Sequence, residues 1–492
     1  MEHWKKNPVI YEINTAVWLG ELSRQQGYPV TFDRVPEEVW DSLAWIPVDA
    51  VWFMGVWERS PAGIRISGSN PGNLQDFRQA LPDFTPSDNI GSPYCVRNYI
   101  VDSQFGGNEA LAVARKELAR RGIRLLLDFV PNHVAHDHPW LDEDLSLFIN
   151  GTGDDLAKDP ASWVRLNGAI LACGKDPNYP AWQDVLQLNA FHPVLRARMS
   201  YTLRQVAGMC DGLRCDMAML LLNRIFALTW GEKAGREPLL EFWEELIPGV
   251  KRNHPGFLFI AEAYWDTEYD LQQLGFDYCY DKRLYDRLRH LDPGSIRDHL
   301  VADTQYQTKL VRFIENHDEP RHLEAFPSPV NRAAAMIFST LPGARLFHEG
   351  QMEGRKTRVP VFLARRLEET PDLELREFYL KLLKTLRQPL FHDGTWRSRP
   401  CTGWSGNTTS DNLLAWSWSD GPDHALIVVN YSGMESQGHV PVDNESLEGQ
   451  EWNLRDPVHG DLFRRKGDEI AGPGLYVLLG PWKFHFLLFT PA

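Results

Sequence analysis

Short apolar runs alternate with longer amphipathic stretches over roughly the first 400 residues. This alternation is typical of parallel strands that are each followed by a covering helix. The apolar runs predict eight strands, Val9–Ile13, Ala50–Met54, Ile123–Phe129, Asp211–Asp216, Phe257–Ala261, Gly275–Tyr278, Leu310–Ile314 and Ala344–Phe347. Eight βα repeats predict a fold of the α/β class, a closed (β/α)8 TIM barrel.

One helix of this barrel has recognisable ends. Leu111, Ala114 and Leu118 fall on one face of a helix predicted over Asn108–Arg121. Asn108 is the predicted N-cap of this helix. Gly122 stands where a glycine in the left-handed region would end it.

Two departures from the repeat predict additional structure. The segment between the third and fourth strands, rich in Asp, Gly, Pro and Asn, is far longer than a usual βα loop and predicts an inserted subdomain B. After a helical stretch over Leu373–Arg387, short alternating runs from about Gly394 predict a C-terminal β-sandwich domain. The expected domains are a catalytic barrel over 1–133 and 194–393, subdomain B over 134–193 and a C-terminal domain over 394–492.

Composition narrows the choice of partners. A net charge of -15 would repel nucleic acid and anionic lipid, so neither is an expected partner. Glu12 and Asn14 interrupt the apolar N-terminal run, and the six Cys form no C-x-x-C pair, so a cytoplasmic location with reduced thiols is expected. The chain has 18 Trp, and although core packing explains most of them, indole faces also stack on sugar rings. A neutral small molecule or oligosaccharide fits best as substrate, and the oligomeric state stays open.

Polar residues follow four of the predicted strands at their carboxyl ends. The four clusters are Asp128–His133, Arg214 with Asp216, Glu262, and Glu315–Asp318. At this rim of a (β/α)8 barrel, side chains from different strands meet around a substrate. A single cluster is also compatible with a structural role, because buried Asp–Arg pairs are common. Four clusters on one rim indicate an active site.

The carboxyl groups of these clusters differ in their expected surroundings. Arg214 and Asp216 are two residues apart on a strand and share a face, so the guanidinium can hold the carboxylate ionised as a nucleophile. Glu262 is followed by aromatic Tyr264, and partial desolvation would raise its pKa and suit it to act as a general acid.

A third carboxylate, Asp318, lies next to His317 in the sequence. A second general acid would be redundant, but this carboxylate can stabilise positive charge that develops at a sugar carbon. His133 and His317 are expected to bind the same sugar ring.

The four clusters resemble the signature regions of the alpha-amylase superfamily, glycoside hydrolase family 13. The matching segments are Asp128–His133, Gly212–Asp216, Ala261–Glu262 and Asn316–Asp318, with Ser92–Tyr94 as a weaker match. By this resemblance the catalytic residues are Asp216 as nucleophile, Glu262 as acid/base and Asp318 as transition-state stabiliser, and the substrate-binding residues are Tyr94, His133, Arg214 and His317. The resemblance implies a retaining enzyme that cleaves α-glucosidic bonds of malto-oligosaccharides or related α-glucosides.

Several positions depart from the family pattern. Met219 and Leu220 stand where many endo-acting members carry Lys-His, so an acceptor-side sugar contact is expected to be missing. Gly91 stands where α-glucosidases have an Asp that recognises a chain end. Gln187 replaces a usual acidic residue, which leaves a structural calcium near Asn132 open. No other metal or cofactor is expected.

Three alternatives stay open. A 4-α-glucanotransferase or another transglycosylase would use the same carboxylates, because only the acceptor differs. The imidazoles and carboxylate of the tract His133–His138 suit a metal-dependent hydrolase, although their spacing fits no ordinary zinc site. A non-catalytic carbohydrate-binding relative would share the fold, but the presence of all three carboxylates favours an enzyme.

Overall fold

The computed structural model describes residues 4–442 and 447–492. The predicted barrel and C-terminal domain ranges also include residues 1–3 and 443–446, which lie outside the described residues. The strands are β1 Val9–Asn14, β2 Ala50–Met54, β3 Trp57–Arg59, β4 Val96–Val101, β5 Arg124–Phe129, β6 His133–Ala135, β7 Trp163–Leu166, β8 Ala169–Gly174, β9 Trp182–Gln187, β10 Gly212–Cys215, β11 Leu258–Ala261, β12 Tyr278–Tyr280, β13 Leu310–Arg312, β14 Ala344–His348, β15 Thr395–Arg399, β16 Leu413–Asp420, β17 Asp423–Asn430, β18 Ser436–Val440, β19 Glu451–Arg455, β20 Leu462–Lys466, β21 Leu475–Leu479 and β22 Phe484–Pro491.

The helices are α1 Thr15–Gln26, α2 Glu37–Trp45, α3 Pro61–Ser69, α4 Pro71–Ala80, α5 Gly107–Arg120, α6 Trp140–Glu143, α7 Gly153–Lys158, α8 Pro193–Ala207, α9 Asn223–Trp230, α10 Phe242–Lys251, α11 Glu268–Gln273, α12 Lys282–Arg289, α13 Pro293–Leu300, α14 Thr304–Gln307, α15 His322–Ala325, α16 Val330–Thr340, α17 Leu373–Leu386, α18 Leu390–Asp393 and α19 Gly467–Ala471.

Eight parallel strands close into a barrel in the order β1-β14-β13-β12-β11-β10-β5-β2. Strand β1 pairs in parallel with both β14 and β2, which closes the sheet. The strands are buried and largely apolar, because helices cover the outer face and side chains fill the interior. The predicted (β/α)8 barrel is confirmed, and the carboxyl ends of its strands lie at one rim.

The sixth barrel strand lies later in the chain than the sequence predicts. Strand β12 covers Tyr278–Tyr280 instead of Gly275–Tyr278. Gly275 has φ of 106°, and its N–H donates to the carbonyl of Gln272 at the end of α11. This left-handed glycine forms the turn that ends the helix, so it cannot begin an extended strand.

The helix predicted over Asn108–Arg121 is α5, but Asn108 is not its N-cap. Gly106 precedes the helix with φ of 98°, and Asn108 lies in the first turn, where its Oδ1 accepts a hydrogen bond from the Val101 N–H at 2.8 Å. Gly122 has φ of 75° after the helix, as predicted. Neither α5 nor another helix in the described ranges has the length and apolar character needed to cross a membrane.

The long segment after β5 forms a four-stranded antiparallel sheet in the order β6-β9-β8-β7. Its first strand begins at His133, immediately after Asn132, and pairs His133 with Gln187 of β9. The barrel rim therefore continues directly into this sheet. We propose that residues 134–193 are the inserted subdomain, because all of β7, β8 and β9 lie within that range.

The C-terminal segment forms the predicted sandwich. A six-stranded sheet, β15-β16-β17-β22-β19-β20, faces the two-stranded sheet β18-β21. Leu413 and Val428 of the larger sheet share a hydrophobic core with Val440 and Val477 of the smaller one. We propose 394–492 as the C-terminal domain, since β15 to β22 all fall in this range.

Candidate active site

The predicted site residues lie around one cavity of about 400 Å³ at the carboxyl ends of the barrel strands. The cavity is lined by Ser92, Tyr94, His133, Trp182, Asp184, Val185, Asp216, Met217, Glu262, Tyr264, Asp318, Val361 and Phe362. Five of the seven residues predicted to bind or transform a substrate are in this set. The other two, Arg214 and His317, are buried and contact members of the set.

Arg214 is the electrostatic centre of the site. Its Nη1 donates to Asp216 Oδ1 at 2.6 Å, and its Nη2 lies 2.8 Å from Glu262 Oε2. A third carboxyl group, that of Asp128, has its Oδ1 3.7 Å from Nη1. A single buried cation is therefore shared by three carboxyl groups.

Asp216 directly follows β10 and keeps a fixed position. Its N–H donates to the carbonyl of Phe129 at 2.8 Å. Burial raises the pKa of the Asp216 carboxyl above its usual range, while the charge of Arg214 opposes this effect. Only Oδ1 is hydrogen-bonded among the described residues, and Oδ2 lies 4.0 Å from His133 Nε2. Oδ2 is therefore the oxygen of Asp216 that is available for contact with a substrate.

Glu262 follows β11 and receives two further hydrogen bonds. The Met217 N–H donates to Oε2 at 2.6 Å, and the Tyr264 hydroxyl donates to Oε1 at 2.8 Å. Met217 has φ of 43°, a left-handed conformation that is costly for a non-glycine residue and that accompanies this contact. Burial raises the pKa of Glu262 to about 7, although Arg214 acts in the opposite direction. This carboxyl group can hold a proton near neutral pH.

His317 links the rim to the first barrel strand. Its Nδ1 donates to the Glu12 carboxylate, and its Nε2 lies 3.0 Å from Asp318 Oδ2 and 2.7 Å from the Tyr94 hydroxyl. Burial lowers the pKa of His317, but the charges of Asp318 and Glu12 outweigh burial and raise it well above its usual range. His317 is therefore an imidazolium ion.

Asp318 lies at the mouth of the cavity with its side chain 47% exposed. Desolvation raises the pKa of this carboxyl group, but the His317 imidazolium outweighs that effect and lowers the pKa to about 2. Because its side chain is half exposed, solvent screens part of this interaction. Asp318 is ionised at neutral pH, in contrast to Glu262.

The hydrogen bonds of His133 determine its tautomer. Asn132 Nδ2 lies 3.2 Å from His133 Nδ1, and because an amide nitrogen donates, Nδ1 accepts and Nε2 carries the proton. Burial lowers the pKa of His133 to about 4, so the ring is neutral. Its Nε2–H faces Asp216 across the cavity and can donate to a sugar hydroxyl.

The residues near Asn132 do not fit a structural calcium. The buried Gln187 Nε2 lies 3.0 Å from each of three acceptors, the carbonyl and Oδ1 of Asn132 and the carbonyl of Leu188, which share its two N–H donors. Three oxygen atoms converge as they would on a hard cation, but they converge on an amide nitrogen. A cation would have to displace this side chain and would gain no carboxylate from it.

The tract His133–His138 is used for local structure. Asp137 Oδ1 accepts from the Ser60 hydroxyl at 2.6 Å, and its Oδ2 accepts from the Ala62 N–H at 3.1 Å, at the start of α3. His138 Nδ1 accepts from the Trp140 N–H at 3.1 Å. Across the described residues, no group of three or more His, Cys, Asp or Glu side chains is arranged to hold a metal ion.

Met219 and Leu220, the predicted gap in the acceptor side, are both buried. They lie in the short 3-10 helix after β10 and therefore reach no substrate themselves. The cavity wall next to Glu262 is formed by Met217 and Tyr264 instead.

Among the residues of the site that have no role in the sequence analysis, three are polar or aromatic side chains from β1 and β9. Glu12 binds His317, and its signal is a lone carboxylate inside the apolar strand β1. Trp182 and Asp184 line the cavity from β9, and the Trp182 ring lies 5.3 Å from that of His133. No local pattern marks these two, because the fold of the inserted sheet brings them to the rim.

Comparison with known proteins identifies the family. Residues 46–404 match the family profile described as the catalytic domain of alpha amylase. The chain belongs to the alpha-amylase family. All four signature segments lie inside the matched range, whereas Glu12 and most of the C-terminal sandwich lie outside it.

Relatives in this family carry several activities in their names. The chain is 24% identical over 457 residues to alpha-amylase MalA of Haloarcula japonica, covering 90% of this chain and 58% of the relative. It is 27% identical over 349 residues to the trehalose synthase/amylase TreS of Mycobacterium tuberculosis, covering 64% of this chain and 51% of that protein. The chain thus spans little more than half the length of these relatives.

Solved structures support the fold over the whole chain. The maltogenic alpha-amylase AmyB of Thermotoga neapolitana superposes with a TM-score of 0.70 at 18% identity, covering 98% of this chain and 99% of that one. The alpha-amylase of Geobacillus thermoleovorans, solved with acarbose, gives a TM-score of 0.67 at 18% identity and covers 100% and 99%. At these identities the likeness establishes architecture alone.

Proposed function

We propose that this chain is a retaining glycoside hydrolase that cleaves α-glucosidic bonds of malto-oligosaccharides or related α-glucosides by double displacement. The observation that carries the proposal is the sharing of Arg214 between Asp216 and Glu262 at the cavity. Contact with neighbouring nitrogens of one guanidinium favours the short carboxyl separation of a retaining enzyme over the wider gap of an inverting one.

In the first step, Asp216 Oδ2 attacks the anomeric carbon while Oδ1 stays bound to Arg214. The bond between that carbon and the glycosidic oxygen breaks, and Glu262 gives its proton to the departing oxygen. The pKa of Glu262, raised to about 7, supports this role because the group is substantially protonated at neutral pH. The products of the step are a glycosyl ester on Asp216 and a free sugar hydroxyl.

In the second step, water attacks the anomeric carbon of the ester. Glu262, now a carboxylate, takes the proton from that water, and Asp216 leaves as a carboxylate. Arg214 contacts both groups and compensates negative charge that passes from one to the other. Inversion at each step retains the α-configuration.

The remaining rim residues are suited to the charged, planar sugar of the transition state. Asp318 is ionised and faces the cavity, where it can stabilise positive charge at the ring. The neutral His133 can donate from Nε2, and Tyr94 offers its ring to the sugar next to Asp216. These side chains would hold the ring while its anomeric carbon moves between the two oxygens.

Proton NMR of the first product from maltopentaose tests this mechanism. A retaining enzyme releases the α-anomer before mutarotation, which is the result that we expect. Early accumulation of the β-anomer would contradict double displacement and the assignment of Asp216 as nucleophile.

Transfer to a sugar acceptor is the second candidate, and the wall beside Glu262 favours it. Met217 and Tyr264 present apolar and aromatic surface at the side where the attacking hydroxyl must arrive. Such surface suits a sugar face better than bulk water. Product analysis on maltopentaose with and without added glucose separates the two reactions, since transfer yields oligosaccharides longer than the substrate.

A further inference from the structure

The outer face of the small sheet β18-β21 carries exposed aromatic surface. We call the side chains of Trp404, Gln437, His439, Tyr476 and Leu478 the outer patch. Trp404 is 46%, Tyr476 48% and Leu478 47% exposed. The alternate residues of the same strands point inward to the sandwich core, as Val440 and Val477 do. The side chains of the outer patch therefore do not take part in the sandwich core.

Three segments that are distant in sequence build the outer patch. His439 of β18 lies directly opposite Tyr476 of β21, and the next pair on the same face is Gln437 with Leu478. Thr402 pairs with His439 through two backbone hydrogen bonds of 2.8 and 2.9 Å. This bridge holds the loop that carries Trp404 beside the sheet.

The large rings are tilted against one another. The centroids of Trp404 and Tyr476 lie 6.5 Å apart with an interplanar angle of 37°. The His439 ring adjoins both, with centroid distances of 5.9 Å to Trp404 and 5.7 Å to Tyr476. An α-(1→4)-linked glucan is a curved chain whose successive sugar faces are inclined, so neighbouring sugars can stack on two tilted rings. A flat β-linked chain would require coplanar rings.

Polar atoms beside the rings match sugar hydroxyls. The Tyr476 hydroxyl donates to Gln437 Oε1 at 2.8 Å, which leaves the Gln437 Nε2 donor unused. His439 Nδ1 donates to the Gly474 carbonyl at 3.2 Å, which leaves His439 Nε2 as an acceptor. Neither Nε2 has a hydrogen-bond partner among residues 4–442 and 447–492. A sugar hydroxyl both donates and accepts, so it can satisfy either atom.

The outer patch is also free of formal charge. Segments 400–410, 436–440 and 475–479 contain no Asp, Glu, Lys or Arg, although the chain has 66 acidic and 51 basic side chains. A charged ligand would find no counter-charge here. Five side chains also offer far less than the roughly 800 Å² per partner of a stable protein interface. These properties favour a neutral polymer over a second copy of the chain.

We propose that the outer patch is a second binding site, separate from the catalytic cavity, for neutral α-glucan chains. The identity of the polymer rests on the proposed function of the cavity. Stacking on Trp404 and Tyr476 would hold a long substrate on the enzyme between cleavage events. Short oligosaccharides that fill only the cavity would gain nothing from it.

Native electrophoresis of the full chain through gels containing amylopectin tests the proposal. The comparison uses Asp216→Asn protein, which should not digest the gel, with and without Trp404→Ala/Tyr476→Ala. We expect the double substitution to weaken amylopectin binding at least tenfold. The matched control is Tyr201→Ala on α8, which removes a still more exposed aromatic side chain and should leave the retardation unchanged. Trp404→Phe/Tyr476→Phe keeps both rings and should keep most of the binding.

Chains with Asp216 intact separate this proposal from the proposed function. We expect Trp404→Ala/Tyr476→Ala to hydrolyse a short chromogenic maltotrioside at the parent rate. Retardation that is unchanged by the double substitution, or equal retardation in a β-linked gel of hydroxyethylcellulose, would overturn the outer patch as an α-glucan site. A change of oligomeric state in the double variant would assign the surface to a second copy and overturn it too. A chain that does not hydrolyse maltosides could still be retarded by amylopectin and lose that retardation in the double variant. That result would support the outer patch and overturn the proposed function.

Discussion

Two buried arginines of the barrel, Arg312 and Arg214, differ in the number of carboxyl groups that each one contacts. Arg312 and His299 both contact Asp281 Oδ2, and the Leu284 N–H donates to Asp281 Oδ1 at 3.0 Å. Burial raises the pKa of Asp281, but its partners outweigh burial and bring the pKa below its usual range. This carboxylate stays ionised throughout the neutral range and serves the fold.

Around Arg214 the proportions are reversed, with one cation for three carboxyl groups. Burial raises the pKa of Asp128 to about 6 and that of Glu262 to about 7, and it raises the pKa of Asp216 as well. The Arg214 guanidinium, with the more distant His317 imidazolium, does not offset the burial of all three carboxyl groups, so the cluster keeps a proton near pH 7. The difference teaches that the ratio of cations to carboxyl groups distinguishes a structural ion pair from a group poised for acid catalysis.

The largest effect should come from removing the attacking oxygen of the Arg214 cluster. Asp216→Asn keeps the shape of the side chain and loses the nucleophile, so we expect kcat on maltopentaose to fall by about four orders of magnitude or more. The melting temperature should change little, because buried Arg214 keeps the carboxyl groups of Glu262 and Asp128 as partners. Steady-state kinetics and thermal unfolding measure the two quantities. Residual kcat within tenfold of the parent would remove Asp216 from the mechanism.

The matched substitution at the other arginine should give the opposite result. Asp281→Asn leaves buried Arg312 without its carboxylate, and breaking a buried pair costs about 3 to 5 kcal/mol of unfolding free energy. The folded fraction should keep the parent kcat, because no contact of Asp281 reaches the cavity residues. Urea unfolding and kcat per folded molecule test this. Loss of kcat without loss of stability would contradict the division into two kinds of cluster.

The sequence predicts the local features of the barrel and of the Arg214 cluster well. Arg214 and Asp216 share a face because strand periodicity alone requires it, and the contact between them is 2.6 Å. The strands of the barrel are equally local signals, and seven of the eight lie within a few residues of their predicted bounds. The eighth, β12, lies later in the chain than predicted because Gly275 ends a helix.

The remaining features of the site depend on contacts between segments that are distant in sequence. Glu12 meets His317 only when the barrel closes between β1 and β14, and Gln187 meets Asn132 only through the inserted sheet. Nor does a sequence pattern reveal that three carboxyl groups share Arg214, because that count depends on the strand order β5-β10-β11. Local patterns therefore point to the side chains that we propose as catalytic, and tertiary packing determines their protonation.

The comparison of carboxyl groups with and without a cation extends to the inserted sheet. A carboxylate introduced there without a neighbouring cation should lower the free energy of unfolding. Gln187→Glu puts an acidic group among three oxygen atoms, and we expect it to lose about 1 to 3 kcal/mol of unfolding free energy in the presence of EDTA. Added calcium should restore part of that loss by binding the folded state. Urea unfolding with EDTA and with calcium measures both effects.

The parent chain and a second glutamine variant are the controls for the calcium experiment. The parent chain should show the same stability and activity with EDTA and with calcium. Gln351→Glu alters another buried glutamine, one that donates to the Tyr379 hydroxyl, and should be destabilised without recovery in calcium. EDTA-sensitive stability of the parent would show that a cation does bind near Asn132.

The smallest expected effect is a shift in the pH profile when one hydrogen bond to Glu262 is removed. In the proposed mechanism Glu262 is protonated in the first step, so kcat/KM should fall as pH rises through its pKa of about 7. The Tyr264 hydroxyl donates to Glu262 Oε1 at 2.8 Å and so favours the ionised form. Tyr264→Phe should therefore raise the pKa and move the alkaline limb upward. A hydrogen bond of about 0.5 to 1.5 kcal/mol corresponds to a shift of about 0.4 to 1 pH unit.

Tyr476→Phe is the control for this prediction, because it removes a hydroxyl from the outer patch and should leave the alkaline limb in place. A downward shift in Tyr264→Phe, or equal shifts in both variants, would show that this hydroxyl does not set the proton affinity of the acid.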